Sequence, residues 1–142
     1  VPKDKKVEAY AKKAYDGEHI YDENYINNDI KIKDSDLDYS MLLFEYSSKS
    51  EKDLISLIKY LKNINVKVTL VLTPYHPDLY QIIKSERPIF IDIENKFREI
   101  SEQNNIEIVG SYDSSVIGCQ KNEFYDGMHA KVSCISRLFK DF

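Results

Sequence analysis

Tryptophan is absent from this 142-residue chain, and glycine, proline and cysteine are scarce, with four, four and two copies. The glycines, Gly17, Gly110, Gly118 and Gly127, are too dispersed to form a loop whose N–H groups cradle a phosphate, which argues against Rossmann and P-loop nucleotide sites. Cys119 and Cys134 stand fifteen apart with no CxxC pair, so a cysteine-rich zinc site is excluded. The two read equally well as one disulfide of an oxidising compartment or as two reduced, partly buried thiols. No apolar run approaches the ~20 residues that cross a bilayer, and none follows the basic start. Neither a membrane span nor an export signal is therefore expected in this stretch. Positive charge is not in excess either. Twenty basic against 24 acidic residues give a net charge of −4, so there is no basic field for a phosphate backbone and nucleic acid is not an expected partner.

What is present suits one soluble domain: 42% apolar and 31% charged residues can bury a modest core. The chain starts at Val1 rather than methionine, and an important piece upstream is expected. We read it as a single domain in two parts, an N-terminal helix and irregular excursion over 1–38 and an α/β core over 39–142. Val7, Tyr10, Ala11 and Ala14 form one apolar stripe, which predicts a short helix over 2–14. From 16 to 38, Asp-Gly, Asn-Asn and acidic clusters surround β-prone pieces at 19–21 and 30–32, which read as turns and a hairpin.

The pattern sharpens from Tyr39. Met41-Leu42-Leu43-Phe44 reads as a strand buried on both faces. Ser50 with Asp53 reads as a capping box opening a helix that carries Leu54, Ile55, Leu57, Ile58 and Leu61 and stops near Asn63-Ile64-Asn65. A β-branched strand over 66–72 ends at Thr73-Pro74, and a Pro/His/Asp loop follows. A helix is then expected from Ser85-Glu86-Arg87-Pro88, with the stripe Ile89, Ile93, Phe97, Ile100. Asn104-Asn105 ends it, 106–109 is a strand, and Val132, Ile135, Leu138 and Phe139 mark a closing helix. Strands alternating with helices predict an α/β fold, a three-layer α/β/α sandwich with a mainly parallel sheet. Ligands of such sheets bind beyond the carboxyl ends of the strands, which selects the loops after Phe44, Leu72 and Val109.

Two of these loops hold unusual clusters: Thr73-Pro74-Tyr75-His76-Pro77-Asp78, and Phe124-Tyr125-Asp126-Gly127-Met128-His129. In Asp126-x-x-His129 on a turn feeding a helix, the two residues share a face. The carboxylate can then accept from imidazole Nδ1–H, fix the tautomer and leave proton transfer to Nε2. The plainer reading of the same spacing has Asp126 capping the last helix and His129 as a surface residue. His76 either shapes a pocket or packs between Pro74 and Pro77. Ser47 or Ser48 sits at a strand-to-helix elbow that could expose a nucleophile, though turn and cap roles suit them as well. Ser111, Ser114 and Ser115 read as polar loop residues. Tyr75, Tyr80, Tyr112 and Tyr125 cluster around the crevice, where aromatic faces could stack on sugar rings. Three converging ligands would be needed for a metal, and His76, His129 and Asp126 are not expected to supply them.

The Asp-Gly-Met-His phrase leading into the closing helix resembles the C-terminal catalytic block of the SGNH/GDSL esterase and acyltransferase superfamily. The segment Lys67 through Thr73-Pro74 is similar to the penultimate core strand of that family. With Phe124 to His129 and the Tyr-His-Pro after Thr73-Pro74, the likeness is nearest to SGNH-like proteins of bacterial envelope and surface-polysaccharide modification, over residues 39 to 142. It implies an SGNH/flavodoxin-like sandwich lacking its N-terminal strands, and Ser-His-Asp chemistry on a small-molecule or glycan ester. His129 would be the base and Asp126 its orienter, with Thr73, Tyr75, His76 and Tyr125 facing substrate. No cofactor is needed, and the setting is extracytoplasmic. The Gly-Asp-Ser-like motif, the oxyanion glycine and the Asn block of the family are missing; Glu45-Tyr46-Ser47-Ser48 stands where the Asn would be. The serine is therefore expected upstream or on another chain, with which this one would pair to cover an open sheet edge. The alternative is a non-catalytic module on the same fold that binds a glycan or a partner.

Overall fold

The computed structural model describes residues 45–139, Ile32 and, as backbone, two short strands. Strands β1 (Ala11–Lys13) and β2 (His19–Tyr21) pair antiparallel, with Lys12 opposite Ile20. Residues 19–21 are the β piece expected there, but their partner is 11–13, which is a strand and not the end of a helix, so this hairpin reaches outside the stretch 16–38 in which one was expected. One apolar stripe over three turns gives only a marginal helix, and the short connection containing Asp16-Gly17 is a strong hairpin signal. The rest of that predicted helix lies outside the described residues, as do 30–31 and the predicted strand at 41–44.

Helix α1 (Ser48–Asn63) begins a turn earlier than expected. Its cap is Ser47, in extended conformation, whose Oγ accepts from the Ser50 N–H at 3.2 Å. Ser50 is thus inside the first turn, and Asp53 pairs instead with Lys49 at 2.6 Å, one turn back. The earlier start gains both contacts. The helix stops where the asparagines predict, with Asn65 at φ 61. Strand β3 (Thr69–Leu72) follows.

The loop expected after β3 is short, because Pro77 opens a helix that the sequence reading missed, α2 (Pro77–Glu86). Proline suits a first helical position, where no N–H is needed, and Leu79, Tyr80 and Ile83 are its buried face. Ser85 and Glu86 therefore end α2 and do not open the next helix. Helix α3 (Ile89–Asn104) starts after Pro88, and Asn105 leaves it in the left-handed region at φ 47. Ile93 and Ile100 of its predicted stripe are buried, joined by Phe90.

Strand β4 (Glu107–Gly110) lies parallel to β3, with Thr69 opposite Glu107 and Leu72 opposite Gly110. The chain continues through α4 (Ser114–Ile117), a 3₁₀ turn (Lys121–Glu123), α5 (Val132–Ile135) and a last 3₁₀ turn (Ser136–Phe139). The closing element is thus two short turns rather than one helix. It buries Cys134 and Leu138 and leaves Val132 and Phe139 exposed. The buried Cys134 is bonded to Cys119 in a disulfide, which decides between the two readings of these residues.

The described residues form a mixed α/β structure of five α-helices with a two-stranded parallel sheet. Leu79, Ile83 and Phe90 make one core cluster, with Ile32, Tyr75 and Ile89 against it; Cys119, Phe124 and Cys134 make another, covered by Ile117 and Ala130. Among these residues no helix is long and apolar enough to cross a membrane.

Candidate functional site

Parallel strands end on the same edge, so the loops after β3 and β4 meet. The Tyr75 N–H donates to the Tyr112 carbonyl at 3.1 Å, and Tyr75 and Asp113 form an isolated parallel bridge beyond the strands. The next N–H, that of His76, donates to the Gly127 carbonyl at 2.9 Å. Backbone bonds alone thus bring the segment 73–78 and the Asp126–His129 turn to the edge that the strand-end rule selects.

The turn is closed at its base by an antiparallel bridge between Phe124 and Ala130, and inside it the Tyr125 N–H donates to the His129 carbonyl at 2.8 Å. Asp126 then organises the interior. Its Oδ1 accepts from the Met128 and His129 N–H groups, both at 2.8 Å. The imidazole Nδ1 of His129 lies 2.9 Å from Oδ1 and 2.8 Å from Oδ2. An ionised carboxylate only accepts, so Nδ1 carries the proton. The two side chains are therefore paired on a turn that precedes α5, as the spacing anticipates, and the turn is centred on the aspartate itself. Asp126 does not cap the last helix, because α5 has Lys131 at its N-cap position. The His129 side chain is 60% exposed and that of Asp126 35%. A Cβ on Gly127 would stand 2.7 Å from Leu79 Cδ2, so the turn sits directly on the α2 core face.

Thr73 is exposed at the end of β3, and Tyr125 is half-buried with the Lys131 ammonium 5.7 Å from its ring centre. Tyr75 packs edge-on against Phe90 and tilted against Tyr112, with centroids 6.4 and 5.4 Å away. Burial raises the Tyr75 phenol and pushes Tyr112 up to about 12, the latter helped by Tyr75 and Glu94. Tyr80 is buried in α2. His76 has no exposed surface: its Nδ1 accepts from the Asp78 N–H at 3.1 Å as the N-cap of α2, and its ring meets the Phe124 ring at 5.4 Å. Burial lowers its pKa below the ordinary histidine value, with Asp78 acting the opposite way. The packing role, rather than the pocket role, is where the structure places it.

The candidate hydroxyls are engaged elsewhere. Ser47 caps α1 and Ser48 lies in its first turn. Ser111 donates to Glu94 at 2.8 Å, Ser115 donates to Asp113 at 2.6 Å, and Ser114 is buried. Glu94 is the residue the sequence reading missed. Besides Ser111 it accepts from Arg98 at 2.5 Å and from the Tyr112 N–H at 2.9 Å, clamping the loop after β4 to α3. Its only sequence signal, an i,i+4 partner in Arg98, is that of an ordinary solvated helix pair.

A second clamp holds the C-terminal side. Arg137 donates to both oxygens of Glu123, at 2.9 and 2.8 Å, across the disulfide loop. These bonds, with the Gln120 N–H, bring the Glu123 carboxyl down to about 2 against the opposing effect of partial burial. A depressed carboxylate contributes stability above its unfolded value of 4.5 that is lost as pH falls towards 2. We expect the difference in urea midpoint between wild type and Glu123→Gln to be full at neutral pH and to shrink through that window. A pH-independent difference would refute it.

Among the described residues no group of three His, Cys, Asp or Glu side chains converges as a metal site. An apolar groove of about 310 Å³ between α1 and α3 is lined by Leu54, Ile93, Phe97 and Ile100 under Glu51 and Lys96, and a cleft of about 380 Å³ lies at the opposite end of the strands. Neither is lined by Asp126 or His129, whose pair is a surface feature of the strand-end edge. No protein-family model, curated protein or solved structure matches the chain.

Proposed function

We propose that the chain carries the Asp–His half of a Ser-His-Asp acyl-transfer site on a three-layer α/β/α sandwich of the SGNH kind, acting on acetyl esters of an envelope glycan as esterase or O-acyltransferase. The observation that carries this reading is the Asp126 carboxylate on His129 Nδ1 at 2.8 Å, at the edge where the parallel strands end. With Nδ1–H held by the carboxylate, Nε2 is the nitrogen that takes the proton of an attacking serine hydroxyl as its Oγ adds to the ester carbonyl. The imidazolium, stabilised by Asp126, then returns that proton to the leaving sugar oxygen. Water, or the hydroxyl of an acceptor sugar, releases the acyl group by the same steps in reverse. The serine comes from outside the described residues. Thr73 and Tyr125 are the substrate-facing groups we assign, while Tyr75 and His76 hold the loop that presents them.

A second reading, a glycan- or partner-binding module without catalysis, is favoured by the engagement of Ser47, Ser111 and Ser115 in caps and loop contacts. The full-length protein should be labelled at one serine by a fluorophosphonate and should hydrolyse p-nitrophenyl acetate. Glycan binding with neither labelling nor hydrolysis would overturn the ester reading in favour of the second.

A further inference from the structure

The segment that holds Asp126 and His129 has little regular structure of its own. Between Cys119 and Cys134 lie a 3₁₀ turn, one isolated bridge and the aspartate-centred turn. The flanking helices α4 and α5 have four residues each, far below the length at which a helix holds itself. What closes this segment covalently is the disulfide, whose two cysteines are fifteen apart and enclose the whole turn. The cysteines are buried, 4% and 0% exposed, around Phe124, the residue at the base of the turn, and that ring in turn meets His76.

We propose that the Cys119–Cys134 disulfide is a redox-dependent clasp on the Asp126–His129 turn, so that the pair is held together only after the chain has met an oxidising environment. The proposal rests on the acyl-transfer reading only for the consequence of losing the pair; the clasp itself is a statement about structure. Closure is thiol–disulfide exchange. A small-molecule disulfide accepts two electrons and becomes two thiols, while the Cys119 and Cys134 thiols lose theirs and their two protons and join through sulfur. Reduction by a dithiol runs the same balance backwards. Once open, the segment loses its one cross-link, and the turn is left to non-covalent contacts, among them the Phe124–Ala130 bridge, the Lys131 N–H to Glu123 carbonyl and Lys131 Nζ to Asn122 carbonyl bonds, the Glu123–Arg137 ion pair and the His76 N–H to Gly127 carbonyl bond. The sheet and α3 lie outside the loop and keep their own contacts, including the Glu94 clamp.

The test is amide hydrogen exchange on the full-length protein, oxidised and after treatment with tris(2-carboxyethyl)phosphine without denaturant, with thiols counted by a chromogenic disulfide. The expected result is two thiols per chain and at least a tenfold loss of protection at the Tyr125, Met128, His129 and Lys131 amides, with β3, β4 and α3 unchanged. Unchanged protection in the turn, global loss of protection, or failure to release thiols would each overturn the proposal. The Cys119→Ala/Cys134→Ala variant, compared in the same way, should reproduce the reduced pattern; protection equal to the oxidised protein would count against it. Hydrolysis of p-nitrophenyl acetate is followed in both states. If the turn loosens on reduction while hydrolysis is absent throughout, the acyl-transfer reading falls and the clasp stands. If hydrolysis is present and the turn is indifferent to reduction, the clasp falls alone.

Discussion

Replacing His129 by alanine in the full-length protein is expected to lower ester hydrolysis by roughly 10⁴ or more, and Asp126→Asn by an amount of about the same order. The two variants remove different things. His129→Ala deletes the group that accepts the proton. Asp126→Asn keeps an oxygen able to accept from the Met128 and His129 N–H groups, so the turn survives, but it puts an NH₂, which cannot accept Nδ1–H, in place of Oδ2, and leaves facing the ring only a neutral oxygen already shared by two N–H groups. The imidazole is then released from the tautomer that leaves Nε2 to act as base, while the backbone stays in place. Asp126→Ala loses both the tautomer lock and the two backbone anchors, so its rate should match that of Asp126→Asn while its stability falls by a further ~1 kcal/mol per lost bond. The measurements are kcat on p-nitrophenyl acetate and the urea midpoint of each variant. Rates for His129→Ala or Asp126→Asn within a small factor of wild type would remove the pair from the chemistry.

Gly110→Ala should destabilise the protein by roughly 2–5 kcal/mol, from two separate costs. The residue has φ +85, and a side chain there meets left-handed backbone strain of ~1–2 kcal/mol. Its Cβ would also stand 2.1 Å from the Leu72 carbonyl oxygen, a backbone atom of the neighbouring strand that cannot turn aside. The strands must part at the register position Leu72–Gly110, adding overpacking of ~1–3 kcal/mol and loosening the edge from which both site loops leave. Gly118 provides the control. It has φ +75 but no atom within 4 Å of a Cβ, so Gly118→Ala should show the backbone cost alone. Equal losses for the two variants in urea unfolding would mean that the close approach of the strands has no energetic weight.

Much of the core organisation was legible because it is written in short-range patterns. The stripe of α3 and its asparagine stop appear in the structure with small shifts, and so do the β-branched run of β3 and the short strand β4. The misses have particular causes. Helix α2 was hidden because His76, Pro77 and Asp78 look like loop residues, although a proline at the first helical position followed by an acid is a start signal. The stripe over 2–14 is too short for periodicity to decide residues 11–13, where strand pairing with 19–21 prevails. Glu94 looked like one more helix-surface carboxylate, and only the return of the chain after β4 places Ser111 and Tyr112 over it.

The candidate site divides in the same way. The sequence by itself determined that a carboxylate and an imidazole three positions apart would be near each other, because chain connectivity keeps i and i+3 within reach in most turns. It also determined that strands followed by helices would carry loops to one edge. Whether the carboxylate grips the ring or caps a helix, whether two cysteines fifteen apart are bonded, and whether His76 faces a crevice or is buried as a cap were all decided by tertiary structure. Each of those depends on the positions of groups far away in the chain, such as Leu79 under Gly127 and Phe124 against both the disulfide and His76. Packing sets those positions all at once, and local sequence does not encode them.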